Sequence, residues 1–84
     1  MNNKILIQVI VPTIEQKYEV YIPISKSVKK ILYLIKKSIN ELTDGAFPLA
    51  DNIRMYNQST GEEINVNAIV KNSGLENGSK VLLI

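Results

Sequence analysis

Between Lys4 and Val11 the chain alternates: Ile5, Ile7, Val9 and Val11 share one parity while Lys4 and Gln8 hold the other, a two-residue period that predicts a half-buried strand. Leu6 and Ile10 fall on the polar parity, so such a strand turns two aliphatic side chains away from the core. Pro12 has no N–H and fixes its own φ, which makes Pro12 to Gln16 a hairpin connection. A second strand is expected from Lys17 to about Ile22, where Tyr18, Val20 and Ile22 alternate with Lys17, Glu19 and Tyr21 until Pro23 ends it. A helix then runs to about Leu42. Val28, Ile31, Leu32, Ile35, Ile39 and Leu42 stand at offsets of three, four, seven, eleven and fourteen from Val28, on one helical face. Ser25 or Ser27 can cap its start by accepting an orphan N–H of the first turn, and Asp44-Gly45 stops it, because glycine takes the positive φ of a left-handed C-cap.

Ala46 to Asn52 should cross over in irregular form. A third strand is expected at Ile53 to Asn57, with Ile53 and Met55 facing one way and Arg54 and Tyr56 the other. Gln58 to Gly61 supplies a turn, Glu62 to Val66 a short returning strand, and the turn-forming run from Asn72 to Gly78 leads into a last strand at Lys80 to Ile84. One helix among these strands predicts an α+β fold: a mixed sheet of four to five strands packed on one helix, with the final strand beside the first, as in a β-grasp. One such domain accounts for the whole chain, residues 1–84.

Composition narrows the chemistry. The chain has no histidine and no cysteine, which removes the commonest general bases, nucleophiles and transition-metal ligands as well as disulfides. Glu62-Glu63 is the one adjacent carboxylate pair, but neighbouring strand residues point to opposite faces, so it reads as a solvated hairpin. Gly45, Gly61, Gly74 and Gly78 are isolated turn glycines and form no phosphate-binding loop. The expectation is therefore a non-enzyme without metal or cofactor. The longest apolar runs fall far short of the ~20 residues that span a bilayer, and the segment Met1-Asn2-Asn3-Lys4 leads into a strand and lacks the long apolar region of a signal peptide. A cytoplasmic setting fits these features and the missing cysteines.

Two surfaces are candidates for recognition. If Ile5, Ile7, Val9, Val81 and Leu83 pack under the helix, then Leu6, Ile10, Leu82 and Ile84 point the other way, and Tyr21, Arg54 and Tyr56 join them as an aromatic and cationic margin. An apolar patch of this kind fits a protein partner; its bland readings are homodimer packing, leaving a monomer or weak homodimer in solution, and scattered exposure without a role. The second surface is a basic stripe of Lys26, Lys29, Lys30, Lys36 and Lys37 on the helix side away from its apolar face. It reads either as a solvated helix surface or as a docking site for an acidic partner, with nucleic acid or an anionic leaflet behind these; the net charge of +2 and 6% aromatic content favour a protein over a polyanion.

The element order resembles ubiquitin over nearly the whole chain. Ile64, then Val70-Lys71-Asn72-Ser73-Gly74-Leu75, then Gly78-Ser79-Lys80-Val81-Leu82-Leu83, is similar to the ubiquitin-fold pattern of short strand, tight turn and final strand. Val28-Lys29-Lys30-Ile31, Ile53-Arg54-Met55-Tyr56-Asn57 and Ser73-Gly74-Leu75-Glu76-Asn77-Gly78-Ser79 resemble the YukD/EsaB-like family, small cytosolic ubiquitin-like components of the type VII secretion systems of Gram-positive bacteria. That resemblance implies a non-enzymatic adaptor or regulator that binds a cytosolic part of the secretion machine, and the likeness to ubiquitin implies that the outer sheet face is the binding surface. Ubiquitin and the sulfur carriers of the ThiS and MoaD type use a flexible terminal Gly-Gly, whereas this chain ends Val81-Leu82-Leu83-Ile84. A carrier or modifier role is the disfavoured alternative on that pattern.

Overall fold

Alternation in the first segment produces one of the sheet's two longest strands. The computed structural model describes residues 3–84, so Met1 and Asn2 of the N-terminal segment lie outside the described residues. Strand β1 spans Lys4–Val11, with Ile7, Val9 and Val11 buried and Leu6, Gln8 and Ile10 half-buried on the other face. Pro12 does break the ladder, through a short 3-10 turn at Pro12–Ile14, and Glu15 takes a left-handed φ of 54° to bring the chain back. Strand β2, Gln16–Pro23, pairs antiparallel with β1 from Lys4 opposite Pro23 to Val11 opposite Gln16.

Helix α1 spans Val28–Leu42 and lays Val28, Ile31, Leu32, Ile35 and Ile39 into the core. Of the two serines that could cap it, Ser27 does so, its Oγ accepting the Lys30 N–H at 3.2 Å. Two further N-terminal donors are satisfied from the C-terminal half of the chain: Val28 N–H donates to Ala68 O and Lys29 N–H to Val66 O. At the other end Asp44 and Gly45 both have positive φ, and Gly45 N–H donates to Asn40 O at 2.8 Å, closing the helix in the manner of a Schellman cap. Thr43 Oγ1 accepts the Phe47 N–H, and Asn40 Nδ2 donates to Phe47 O, which fixes Phe47 with its ring buried in the irregular crossing.

Two expectations about the helix are corrected. The spacing puts Leu42 on the core face, yet it is 70% exposed; the buried stripe ends at Ile39, and Leu42 in the final turn borders an open groove beside β2. The pattern of lysines puts Lys36 on the basic stripe, yet it is buried, at 8% exposure, and its Nζ donates to Ala50 O at 2.9 Å and Ile53 O at 3.4 Å.

The third strand is shorter than expected, β3 spanning Met55–Asn57, and the returning strand at Glu62 to Val66 does not form. Asn57 Oδ1 accepts the Ser59 and Thr60 N–H groups and Gly61 adopts φ 76°, so the chain turns tightly and touches β3 through a single bridge, Tyr56 to Glu63. Strand β4, Lys80–Leu83, completes a four-stranded sheet of order β2-β1-β4-β3, with β4 parallel to β1 and antiparallel to β3. The core lies between its inner face and α1, where Ile7, Val9, Val81, Leu83 and Met55 meet the helix stripe. Ile5, expected there too, is half-buried at its margin.

Candidate functional site

Residues opposite one another in neighbouring strands project from the same face, so the register settles what the outer face presents. Ile10 lies opposite Leu82 in β4, Leu82 lies opposite Tyr56 in β3, and Tyr56 bridges to Glu63. On the far side Ile10 is opposite Lys17. One row therefore crosses the whole sheet, Lys17–Ile10–Leu82–Tyr56–Glu63, apolar at its centre and charged at both ends. Arg54 and Ile84 form the next row through mutual backbone hydrogen bonds of 2.7 and 3.0 Å. Arg54 Nη1 then donates to Glu63 Oε2 at 3.0 Å, an ion pair on a solvated rim that contributes at most about 1 kcal/mol.

Ile10, Leu82 and Tyr56 are half-buried, and Ile84 and Arg54 are exposed. These five of the expected residues come together. Leu6 and Tyr21, opposite each other in β1 and β2, share the face but stand apart from the row, because Gln8, Glu19 and Lys80 lie between as a polar row of their own. Four residues along a strand is ~13 Å, so Leu6 and Ile10 do not touch. The face is thus one compact apolar patch with a small satellite. Leu6 is held at its end by its N–H donating to Asn77 Oδ1 and its carbonyl accepting the Gly78 N–H.

Of the lysine stripe, Lys26, Lys29, Lys30 and Lys37 are exposed, and Lys36 is removed from it by its contacts with the Ala50 and Ile53 carbonyls. Among the described residues no three histidine, cysteine, aspartate or glutamate side chains converge in a metal-sized group, and no helix is long and apolar enough to cross a membrane.

Sequence reasoning passed over a second apolar feature. A groove of about 280 Å³ runs between β2 and α1, lined by Tyr18 and Val20 of the strand and by Leu34, Ile35, Ile39 and Leu42 of the helix. Leu34 is 45% exposed. Its signal was present, since Leu34 is a large aliphatic residue off the core stripe of a helix whose other outward positions are mostly polar.

Neither the family models nor the curated proteins compared with the chain match it. Solved structures do. A chain from a structure on molecular mimicry of SUMO promoting DNA repair superimposes with a TM-score of 0.73 at 19% identity, covering 100% of this chain and 94% of that one. A ubiquitin-like protein from Trypanosoma brucei gives 0.74 at 14% identity, covering 100% and 96%. A chain of the MycP5-free ESX-5 inner membrane complex, state II, gives 0.70 at 9% identity, covering 99% of this chain but only 21% of that one. At such identities the likeness is one of fold. With one helix on a four-stranded mixed sheet, and with these neighbours, the chain has the ubiquitin-like β-grasp fold.

Proposed function

We propose that the chain is a non-enzymatic adaptor or regulatory component of a bacterial type VII secretion apparatus, acting in the cytoplasm as one ubiquitin-like domain over residues 1–84 and binding a protein of the machine through its outer sheet face. The observation that carries this reading is the row Ile10–Leu82–Tyr56, three large side chains held side by side on a rigid sheet and edged by Lys17, Arg54 and Glu63. A half-buried aliphatic centre with an aromatic neighbour and a charged rim is the composition of a binding hot spot. Supporting the choice of machine are the resemblance of the segments around Val28, Ile53 and Ser73 to the YukD/EsaB-like family and the shared fold with a chain of the ESX-5 inner membrane complex. The partner sought is thus a cytosolic portion of a membrane-embedded assembly, and no cofactor enters the mechanism. The exposed lysines of α1 serve as a solvated surface on the side of the molecule away from this site.

The test is titration of the purified chain against the detergent-solubilised secretion complex of the source bacterium. Saturable binding is expected, and Leu82→Lys should weaken it about thirtyfold or more, the loss typical of a central hot-spot side chain. Undiminished binding by Leu82→Lys would falsify the assignment of the face. Capture of an adenylating enzyme, with an adduct on the terminal carboxylate, would replace the adaptor reading by that of a carrier.

A further inference from the structure

The sheet has two edges, and they are treated differently. Beyond β3 the chain returns to cover it, Asn57 N–H donating to Glu62 O and Ile64 N–H donating to Met55 O. Beyond β2 nothing pairs among the described residues. Which groups β2 leaves open follows from the ladder. Ile24 N–H donates to Asn3 O at 3.0 Å, one step past the Lys4–Pro23 pair. Hydrogen-bonded and non-hydrogen-bonded pairs alternate in an antiparallel ladder, so Ile22, Val20 and Tyr18 turn their backbone groups toward β1. Lys17, Glu19 and Tyr21 turn theirs outward. The same phase appears from the other side of β1, where Leu6 N–H goes to Asn77 Oδ1 and Gln8 N–H to Ser79 O.

Natural sheets blunt such an edge with proline, a bulge or an inward-pointing charge. Here Pro23 stands only at the strand's end, and Lys17 and Glu19 point to the outer face, so what guards the edge is a pair of exposed charges of opposite sign that a complementary strand neutralises. Their signs select what does pair. When two copies of β2 meet antiparallel, outward-turned residues must oppose outward-turned residues. A two-fold axis at Glu19 sets two carboxylates directly opposite, which is unfavourable. An axis at Val20 places Lys17 against Pro23, which has no N–H to give. An axis at Tyr18 places Lys17 opposite Glu19 of the partner subunit, twice over.

We propose that β2 is a self-association edge: two copies pair their β2 strands antiparallel about Tyr18, joining the sheets into one, with Lys17 of each chain facing Glu19 of the partner subunit. The axis stands perpendicular to the sheet, so both helices lie on one side of it. The grooves lined by Tyr18, Leu34 and Leu42 then face each other across the axis and cover exposed apolar surface that a lone copy leaves open. Both outer faces point the opposite way, side by side, which turns one Ile10–Leu82–Tyr56 row into a bivalent surface. The inference concerns the β2 edge of the sheet, which shares only the rim residue Lys17 with the proposed partner site, and it is read by self-association rather than by partner binding.

Sedimentation equilibrium of the purified chain over a concentration series provides the test. A reversible monomer–dimer equilibrium is expected, weakened by added salt because the paired charges lie on the surface. Lys17→Glu and Glu19→Lys each set like charges together at both symmetric positions, and each should raise the dimer dissociation constant about tenfold or more. The double variant carrying both changes should return to within about threefold of the parent, and an equimolar mixture of the two single variants should form a heterodimer. All four side chains are exposed or replace exposed ones, and circular dichroism should show unchanged folds. A chain that stays monomeric at every concentration overturns the proposal, and so does a dimer that ignores both reversals. A dimer abolished by Leu82→Lys instead places self-association on the outer face, and a monomer that takes an extended peptide along β2 assigns the edge to a different partner; either result overturns it.

Discussion

Adjacent lysines in α1 have opposite fates. Lys36 lies ~80° round the helix from Val28 and Lys37 ~180°, at ~100° per residue. The first is therefore at the flank of the buried stripe, where the crossing segment brings the carbonyls of Ala50 and Ile53 to its Nζ, and the second points into solvent. A hydrogen bond to a charged group contributes about 1.5–3 kcal/mol, whereas a solvated surface lysine contributes within about 0.5 kcal/mol. Urea unfolding should show Lys36→Ala destabilised by about 2 kcal/mol and Lys37→Ala near the parent; equal effects from both would remove the structural role given to Lys36. Grouping lysines by type concealed this difference. The angle was legible in the sequence, but the carbonyls come from a segment without periodicity, so the partner was not.

At the scale of elements, legibility follows the length of the repeat. Helix α1 carries a stripe over several turns and its end at Leu42 was legible, whereas two serines competed for the cap and left its start open between them. Ser27 Oγ accepts the Lys30 N–H, while Ser25 makes no such bond among those described. Ser27→Ala should cost about 1 kcal/mol and Ser25→Ala close to nothing, differences that thermal unfolding of the two variants resolves; a larger loss from Ser25→Ala would shift the cap. Short strands were harder to foresee. At Glu62 to Val66 the residue types suit a strand, but Gly61 and the Asn57 side chain bend the chain so tightly that it meets β3 in a single bridge, at Glu63, and no ladder follows. Local turn chemistry overrode strand propensity there, as it commonly does when few ladder bonds are at stake.

For the molecule as a whole, parity divides the side chains that build the core from those of the proposed partner face. The outer face was legible because alternation in β1 and β4 requires it, yet its division into a patch and a satellite was not, since that depends on Gln8, Glu19 and Lys80 falling into one row when β4 docks beside β1. The groove was missed because it lies between two elements and belongs to neither pattern. A pair of matched substitutions tests the division. Ile35 is buried under the sheet at 5% exposure, and a lysine there leaves an unpaired charge in an apolar core, costing several kcal/mol beyond the ~1.5–3 kcal/mol of lost burial. A chain of this length has total stability of order ~4–13 kcal/mol, so Ile35→Lys should abolish the cooperative urea transition. Leu82 is half-buried on the opposite face of the same sheet, where a lysine can lay its methylenes along Ile10 and Tyr56 and keep its ammonium in water. Its cost should stay near 1 kcal/mol or below, with a dispersed amide NMR spectrum. If Leu82→Lys collapses that spectrum as Ile35→Lys does, the outer row is part of what holds the sheet together, and a surface that stabilises its own fold is not available to a partner.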